Sequence, residues 1–246
     1  MSFHDLLLKQ GEWLFKKRSL LPLIFVPVIV IAMFYVANTG NVIQRSYAVK
    51  DYCCLAISLT GLMMRFFTVG YVQRGTAGRT TIGFEARSLK TKAMYSVVRH
   101  PLYLGNAVMY LGIFLYIGIW WLALLFITLL WLYYERIIFA EEEFLSRTFG
   151  NEYSVWAEKT PTFLPNFRLW SSSERHFSLR FALKREYSGF LAVVAVFCFL
   201  NIARHAIYFR AIHLDFMWRI FLVISAILYV TLRTLKKNTN ILNKGD

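Results

Sequence analysis

Residues 102–134 form an apolar run without one charged side chain. Drawn as a single helix at about 1.5 Å per residue it would be about 50 Å long, against a bilayer hydrocarbon core of about 30 Å. The run must therefore turn back on itself. Gly118 lies midway and Trp120-Trp121 follow it, residues that suit a turn at a membrane interface. The run is read as two short helices, 102–117 and 119–139, forming a hairpin.

Four further apolar stretches reach membrane length, at about 20–37, 52–72, 188–208 and 214–232. The expected fold is an all-α integral membrane protein of about six transmembrane helices, one pair being the short hairpin. Three segments follow from this map: a two-helix N-terminal part (1–72), a core with the hairpin and two polar loops (73–187), and two C-terminal helices with a basic tail (188–246). Lys16-Lys17-Arg18 precede the first span without a small-residue cleavage site, as in a first membrane helix with its anchor.

The charges agree with the map. The N-terminus, the loops 73–100 and 140–187, and the tail with Arg233, Lys236, Lys237 and Lys244 are rich in Lys and Arg. The loop 38–51 has only Arg45 and Lys50, and the hairpin tip has neither. Six spans with both termini cytoplasmic place every basic segment on one side, the inner-membrane arrangement if the chain is bacterial. The net charge of +14 is thus spread between apolar runs and faces an anionic leaflet, which argues against a nucleic-acid partner. Cys53, Cys54 and Cys198 lie in apolar stretches, read as reduced and packed, and no spacing suggests a metal site. The loop "RGTAGRTTIG" lacks the GxGxxG spacing and a preceding strand, so a Rossmann site is not expected.

The hairpin has a chemical consequence. Arg99-His100 stands at its entry and Glu141-Glu142-Glu143 just past its exit, so a cationic imidazole-bearing pair and a carboxylate cluster return to one membrane face. Taken singly, Arg99 and His100 are equally an interfacial anchor with a snorkelling arginine, and the glutamates equally a solvated helix end. Pro101 suits the first turn of a helix. Gly105, Met109 and Gly112 make a thin stripe on it, open to a neighbouring helix or a ligand. Arg65, inside the second span, either snorkels or meets an anion in the site. Arg204 and His205 are expected at the opposite interface.

These residues resemble a known pattern. "YSVVRHPLYLGN" followed by "EEEFLSRTFGNEYSVWAEKTPTFLP" is similar to the isoprenylcysteine carboxyl methyltransferase and phospholipid methyltransferase superfamily, over roughly residues 75–167. The shared positions are Tyr95, Arg99-His100-Pro101, Tyr103, Gly105, Glu141-Glu142, Leu145, Phe149-Gly150, Tyr153, Thr160-Pro161 and Pro165. The resemblance implies S-adenosylmethionine as cofactor, held at the cytoplasmic face under the polar loops. It implies Tyr95, His100, Pro101, Leu102, Tyr103, Gly105, Glu141 and Glu142 as cofactor-binding residues, and Arg99, His100 and Glu141 as the catalytic set. An arginine that faces the substrate anion in the carboxyl methyltransferases is replaced here by Ile137, with Arg136 beside it, so Arg136 or Arg65 is expected to take that role. Membrane sterol reductases, which use NADPH, carry a similar motif, but with Asn before its Tyr and an acidic residue after its Gly. Leu102 and Asn106 stand there instead.

The expected activity is methylation of a lipophilic membrane substrate. Basic residues around the site favour O-methylation of an anionic headgroup such as a lipid phosphate. The alternatives are isoprenylcysteine carboxyl methylation, phospholipid N-methylation, a sterol-type reduction, and a non-catalytic membrane protein that keeps the fold.

Overall fold

The computed structural model describes residues 2–18, 21–38, 48–72, 84, 86–173 and 176–239. The "RGTAGRTTIG" stretch, Arg45 and Lys244 lie outside the described residues. Among the described residues there are helices and no strand. In chain order they are α1 (Phe3–Lys16), α2 (Leu21–Asn38), α3 (Ala48–Gly70), α4 (Met94–Val97), α5 (Pro101–Ile117), α6 (Trp120–Phe149), α7 (Asn151–Lys159), a 3-10 turn (Phe167–Leu169), α8 (Leu179–Phe209) and α9 (Phe216–Asn238).

The chain is an all-α integral membrane protein. Among the described residues four helices, α3, α6, α8 and α9, are long and apolar enough to cross a bilayer. Two apolar helices are shorter, Phe25–Tyr35 within α2 and Pro101–Ile117. The turn between α5 and α6 falls at Gly118, whose φ of 80° is the left-handed conformation that a side chain would disfavour. Trp120, largely exposed, and Trp121 open the returning helix. The hairpin is stapled by Phe114 stacked on Phe126, ring centroids 3.4 Å apart.

Two helices run further than their apolar stretches. α6 continues past residue 139 to Phe149, so Glu141, Glu142 and Glu143 ride on the same rigid rod that crosses the membrane. α8 begins at Leu179, capped by the Ser178 hydroxyl accepting from the Phe181 N–H, nine residues ahead of the expected 188. Hydropathy marks where lipid stops. A helix stops where its backbone is capped, and charged residues prolong it freely in water. α1 shows the same logic: a Ser2–Asp5 capping box starts a helix in a segment expected only to anchor the first span.

α3 and α5 lie in close contact because glycines face each other. A Cβ on Gly105 would stand 2.8 Å from the Gly61 carbonyl oxygen, and one on Gly61 would stand 2.5 Å from the Met109 amide nitrogen. α8 packs beside α3, and α9 beside α8. The end of the bundle away from the hairpin's mouth is closed by polar pairs. Arg204 bonds Asp51 at 2.8 and 3.2 Å, Asn201 donates to Asp215 at 2.8 Å, and His205 lies 3.1 Å from the same carboxylate. Arg204 and His205 are thus engaged with partners on α3 and at the start of α9, beyond an interfacial role.

Candidate active site

The motif 95–103 is a short helix, a three-residue break and a new helix. α4 ends at Val97, Val98 is extended, and Pro101 restarts the chain as the first residue of α5, where its missing N–H leaves no intrahelical bond unmade. The segment that follows α7 clamps this break. The Arg99 amide donates to the Pro161 carbonyl at 2.9 Å and the Asn166 amide to the Val97 carbonyl at 3.0 Å. Ser171 holds Ala93 and Ser96 through bonds of 2.8 and 2.9 Å, and the Trp156 indole donates to the Tyr95 carbonyl at 3.2 Å. The Thr-Pro turn at 160–161 is therefore a backbone splint for Arg99 and His100.

Across from it, α6 presents its carboxylates. Tyr103 donates to Glu141 Oε2 at 2.7 Å. Glu142 Oε1 accepts from Arg99 Nη1 at 2.9 Å and lies 3.0 Å from His100 Nε2. His100 Nδ1 stands 3.8 Å from Glu141 Oε2, so the buried imidazole bridges the two glutamates. Arg99 Nε donates to the Thr160 carbonyl at 2.7 Å, completing a charge-assisted network. Tyr103 stacks between His100 and Tyr134, with ring centroids at 5.7 and 5.1 Å. The two sequence motifs, some 40 residues apart, are thereby one object.

They wall a cavity of about 350 Å³, within the usual range of small-molecule sites. α1 contributes Phe15 and the segment just past its end contributes Arg18, the loop before α4 contributes Phe84 and Lys90, α3 contributes Arg65, and α8 contributes Arg185 and Glu186. Phe15 packs on Phe84 at 4.2 Å, and Phe84 stacks on Phe144 at 5.9 Å. Burial draws the Lys90 ammonium down to about 8, Glu141 working against that shift and Arg185 adding to it. Burial raises the Tyr95 phenol well above its ordinary value.

Sequence comparison extends this geometry. Residues 53–152 match the family model described as phospholipid methyltransferase, a stretch that contains the first motif, the hairpin and the start of the second motif. The chain is 35% identical over 77 residues to protein-S-isoprenylcysteine O-methyltransferase of Schizosaccharomyces pombe. The chain belongs to the isoprenylcysteine carboxyl methyltransferase and phospholipid methyltransferase superfamily. The S. pombe match takes in 31% of this chain and spans a third (33%) of that protein's length. The nickel-cobalt-cadmium resistance protein NccN of Alcaligenes xylosoxydans xylosoxydans is 30% identical over 157 residues, 60% of this chain and 73% of that protein. No solved structure matches the chain.

Set against the superfamily pattern, the expected site residues divide into three groups. Tyr95, Arg99, His100, Pro101, Leu102, Tyr103 and Glu141 line the cavity. Glu142 stands behind them and orients Arg99 and His100. Gly105 packs on Gly61 and Arg65, at the seam between α3 and α5. The two arginines expected to meet a substrate anion part company. Arg136 lies on another side of α6, bonded to Gln10 of α1 at 3.3 Å and to Glu135 at 3.0 Å, and is absent from the lining. A residue beside Ile137 is rotated about 100° away from it on a helix, and Ile137 itself is buried in the core. Arg65 does line the cavity, but its guanidinium is gripped by Glu186 at 2.9 and 3.1 Å and donates to Asn106 at 2.7 Å. Arg18, Lys90 and Arg185 are the cavity cations that the motifs do not point to. Arg18 and Arg185 lie on either side of the matched stretch and Lys90 lies within it, outside both motifs, and the one signal for them was the basic character of the polar loops.

Proposed function

We propose that this superfamily member is a membrane methyltransferase that uses S-adenosylmethionine to methylate a lipophilic, membrane-embedded acceptor with an anionic head, by O-methylation of the lipid-phosphate kind. The observation that carries the reading is the joined wall of Arg99, His100, Tyr103 and Glu141 along a cavity at the mouth of a membrane hairpin.

The residues present suit the cofactor. Glu141 spends one oxygen on Tyr103 and has a second for an ammonium or ribose hydroxyl. Cationic side chains in the lining suit a carboxylate, and the aromatic rings of the lining, Phe84 and Phe144 among them, suit an adenine. Bound there, the cofactor supplies an electrophilic methyl group for in-line displacement. The chain's part is positional. Glu142 holds His100 and Arg99, the splint from residues 160–171 holds the backbone, and aromatic walls keep water out, which favours a charge-dissipating transfer.

The acceptor class follows from charge. Among the described lining residues the cations are Arg18, Arg65, Lys90, Arg99 and Arg185, against the carboxylates Glu141 and Glu186. An excess of cations favours an anionic head, and an ionised oxygen needs no general base. Protein-S-isoprenylcysteine, named in the S. pombe relative, is the next acceptor to assay. The Lys/Arg-rich ends support a cytoplasmic location for the termini and the cavity.

The test is calorimetric binding of S-adenosylhomocysteine to purified protein in nanodiscs, alongside NADPH. The expected result is binding that is lost in His100→Ala and Glu141→Ala. Unchanged affinity in both variants, or tighter binding of NADPH, overturns the reading. Incubating lipid extracts with labelled S-adenosylmethionine and mass-analysing the product then identifies the acceptor.

A further inference from the structure

α1 is amphipathic in an unusual sense, with one face committed to protein and part of the other left apolar. Its inner face presses on α6. Gly11 lies so close that a Cβ there would stand 2.6 Å from Ala140 Cβ and 3.1 Å from the Arg136 carbonyl carbon. His4 meets Phe139 edge-on at 5.3 Å and Glu143 at 3.7 Å. These contacts span Arg136 to Glu143, the stretch where α6 passes from charge-free sequence to charged sequence. α1 therefore lies at the level where α6 leaves the hydrocarbon.

The outer arc carries Phe3, Leu6 and Trp13, spaced i, i+3 and i+10 along one side, with Phe3 74% and Trp13 59% exposed. Lys9, Lys16 and Lys17 are exposed beside this arc. A tryptophan and a phenylalanine flanked by lysines, at the height of the headgroups, are the recognition chemistry of an in-plane interfacial helix. The occupant this surface fits is an anionic lipid leaflet: the apolar arc seats at the acyl boundary and the lysines meet headgroup phosphates.

We propose that α1 rests in the plane of the membrane on anionic lipid, and that this seating holds one wall of the cavity in place. The link is short. Two residues past Trp13, Phe15 faces inward against Phe84, and Arg18 stacks over Phe15 at 3.9 Å, both lining the cavity. Lifting α1 from the surface moves this wall, whichever ligand the cavity takes.

The experiment uses the full chain in nanodiscs, with Cys53, Cys54 and Cys198 replaced by serine. Spin labels are placed through Leu6→Cys, on the outer arc, and through Glu12→Cys, on the water side. Nanodiscs of phosphatidylcholine alone are compared with ones containing phosphatidylglycerol. The expected result is that the label at 6 is relaxed more by oxygen than by a water-soluble nickel chelate, and the label at 12 the reverse. Phosphatidylglycerol should deepen the label at 6, and the combined Lys9→Gln, Lys16→Gln and Lys17→Gln variant should lose that response. In the same lysine variant a cavity cysteine, Ala86→Cys, should react several-fold faster with a water-soluble maleimide. A label at 6 that stays in water in both lipids, a depth indifferent to headgroup charge, or an unchanged rate at residue 86 overturns the proposal. None of these readings involves cofactor binding, so they stand apart from the methyltransferase assignment.

Discussion

Replacing Gly61 by alanine tests whether the seam between α3 and α5 sets the site. The new Cβ would meet the Gly105 carbonyl oxygen, the Met109 amide nitrogen at 2.5 Å and Met109 Cγ at 2.9 Å. Two of these are backbone atoms and cannot rotate away. Restoring ordinary contact, about 3.5 Å, requires the helices to part by roughly 1 Å. Overpacking of this kind costs about 1–3 kcal/mol. Alanine's better helix propensity returns about 1 kcal/mol. The net expectation is a loss of about 0–2 kcal/mol, or up to roughly 8 °C in melting temperature for a chain of this size. The matched control is Gly189→Ala on α8, whose Cβ would meet only Leu62 Cδ1 at 3.1 Å and Glu186 Oε2 at 3.4 Å, both movable side-chain ends. That variant should melt at or slightly above the wild type. The parting in Gly61→Ala also pulls Arg65 from Asn106, a 2.7 Å bond one residue past Gly105. Affinity for S-adenosylhomocysteine should therefore fall in Gly61→Ala and hold in Gly189→Ala. Thermal melting in detergent and calorimetry read both effects. Gly61→Ala protein as stable as wild type with unaltered affinity would refute the seam's role.

Glu142→Gln should weaken S-adenosylhomocysteine binding by roughly tenfold or more, since a charge-assisted bond to Arg99 or His100 carries about 1.5–3 kcal/mol. Calorimetry checks it, and an unchanged affinity would show that Arg99 and His100 hold their places alone. Lys90 is cationic below about pH 8 and neutral above it, so affinity for an anionic amphiphile should drop through that pH and Lys90→Met should abolish the step. The sign for stability is opposite: the folded value lies below the ordinary 10.5, so the unfolded chain binds more protons between about 8 and 10.5 and stability rises with pH across that window, measurable by melting. Asp51→Asn strands the Arg204 guanidinium at the far end of the bundle and should destabilise the protein by about 3–5 kcal/mol, with S-adenosylhomocysteine affinity unchanged, by melting and calorimetry together.

The hairpin was legible because a 33-residue charge-free run has one physical solution in a bilayer. Gly118 as its turn was legible because left-handed backbone favours glycine. The convergence of His100 with Glu141 and Glu142 followed from the same fold-back, since both ends of a hairpin share a membrane face. Less legible was anything decided by azimuth. Arg136 and Ile137 are neighbours in sequence, yet one faces Gln10 and the other the core, and only the packing of α1 and α5 around α6 sets which is which. The Arg65–Glu186 pair joins residues 121 positions apart, and no local pattern announces it. Lys90 and Arg185 were hidden by their setting, since basic loops flank membrane spans whether or not a site lies beneath them.

The unbroken length of α6 makes bilayer thickness a variable of the chemistry. From Trp120 to Glu141 the helix is a rod of about 32 Å, so a change in tilt of about 5° swings the carboxylate by roughly 3 Å. That swing exceeds the whole 2.7 Å bond to Tyr103. The site survives such tilting only if α5 tilts too, and the stacked Phe114 and Phe126 near the turn tie the two rods into one body. A membrane that thins or thickens would rock this paired lever against α3 and α8, opening or narrowing the gap between Glu141 and the cations those helices supply.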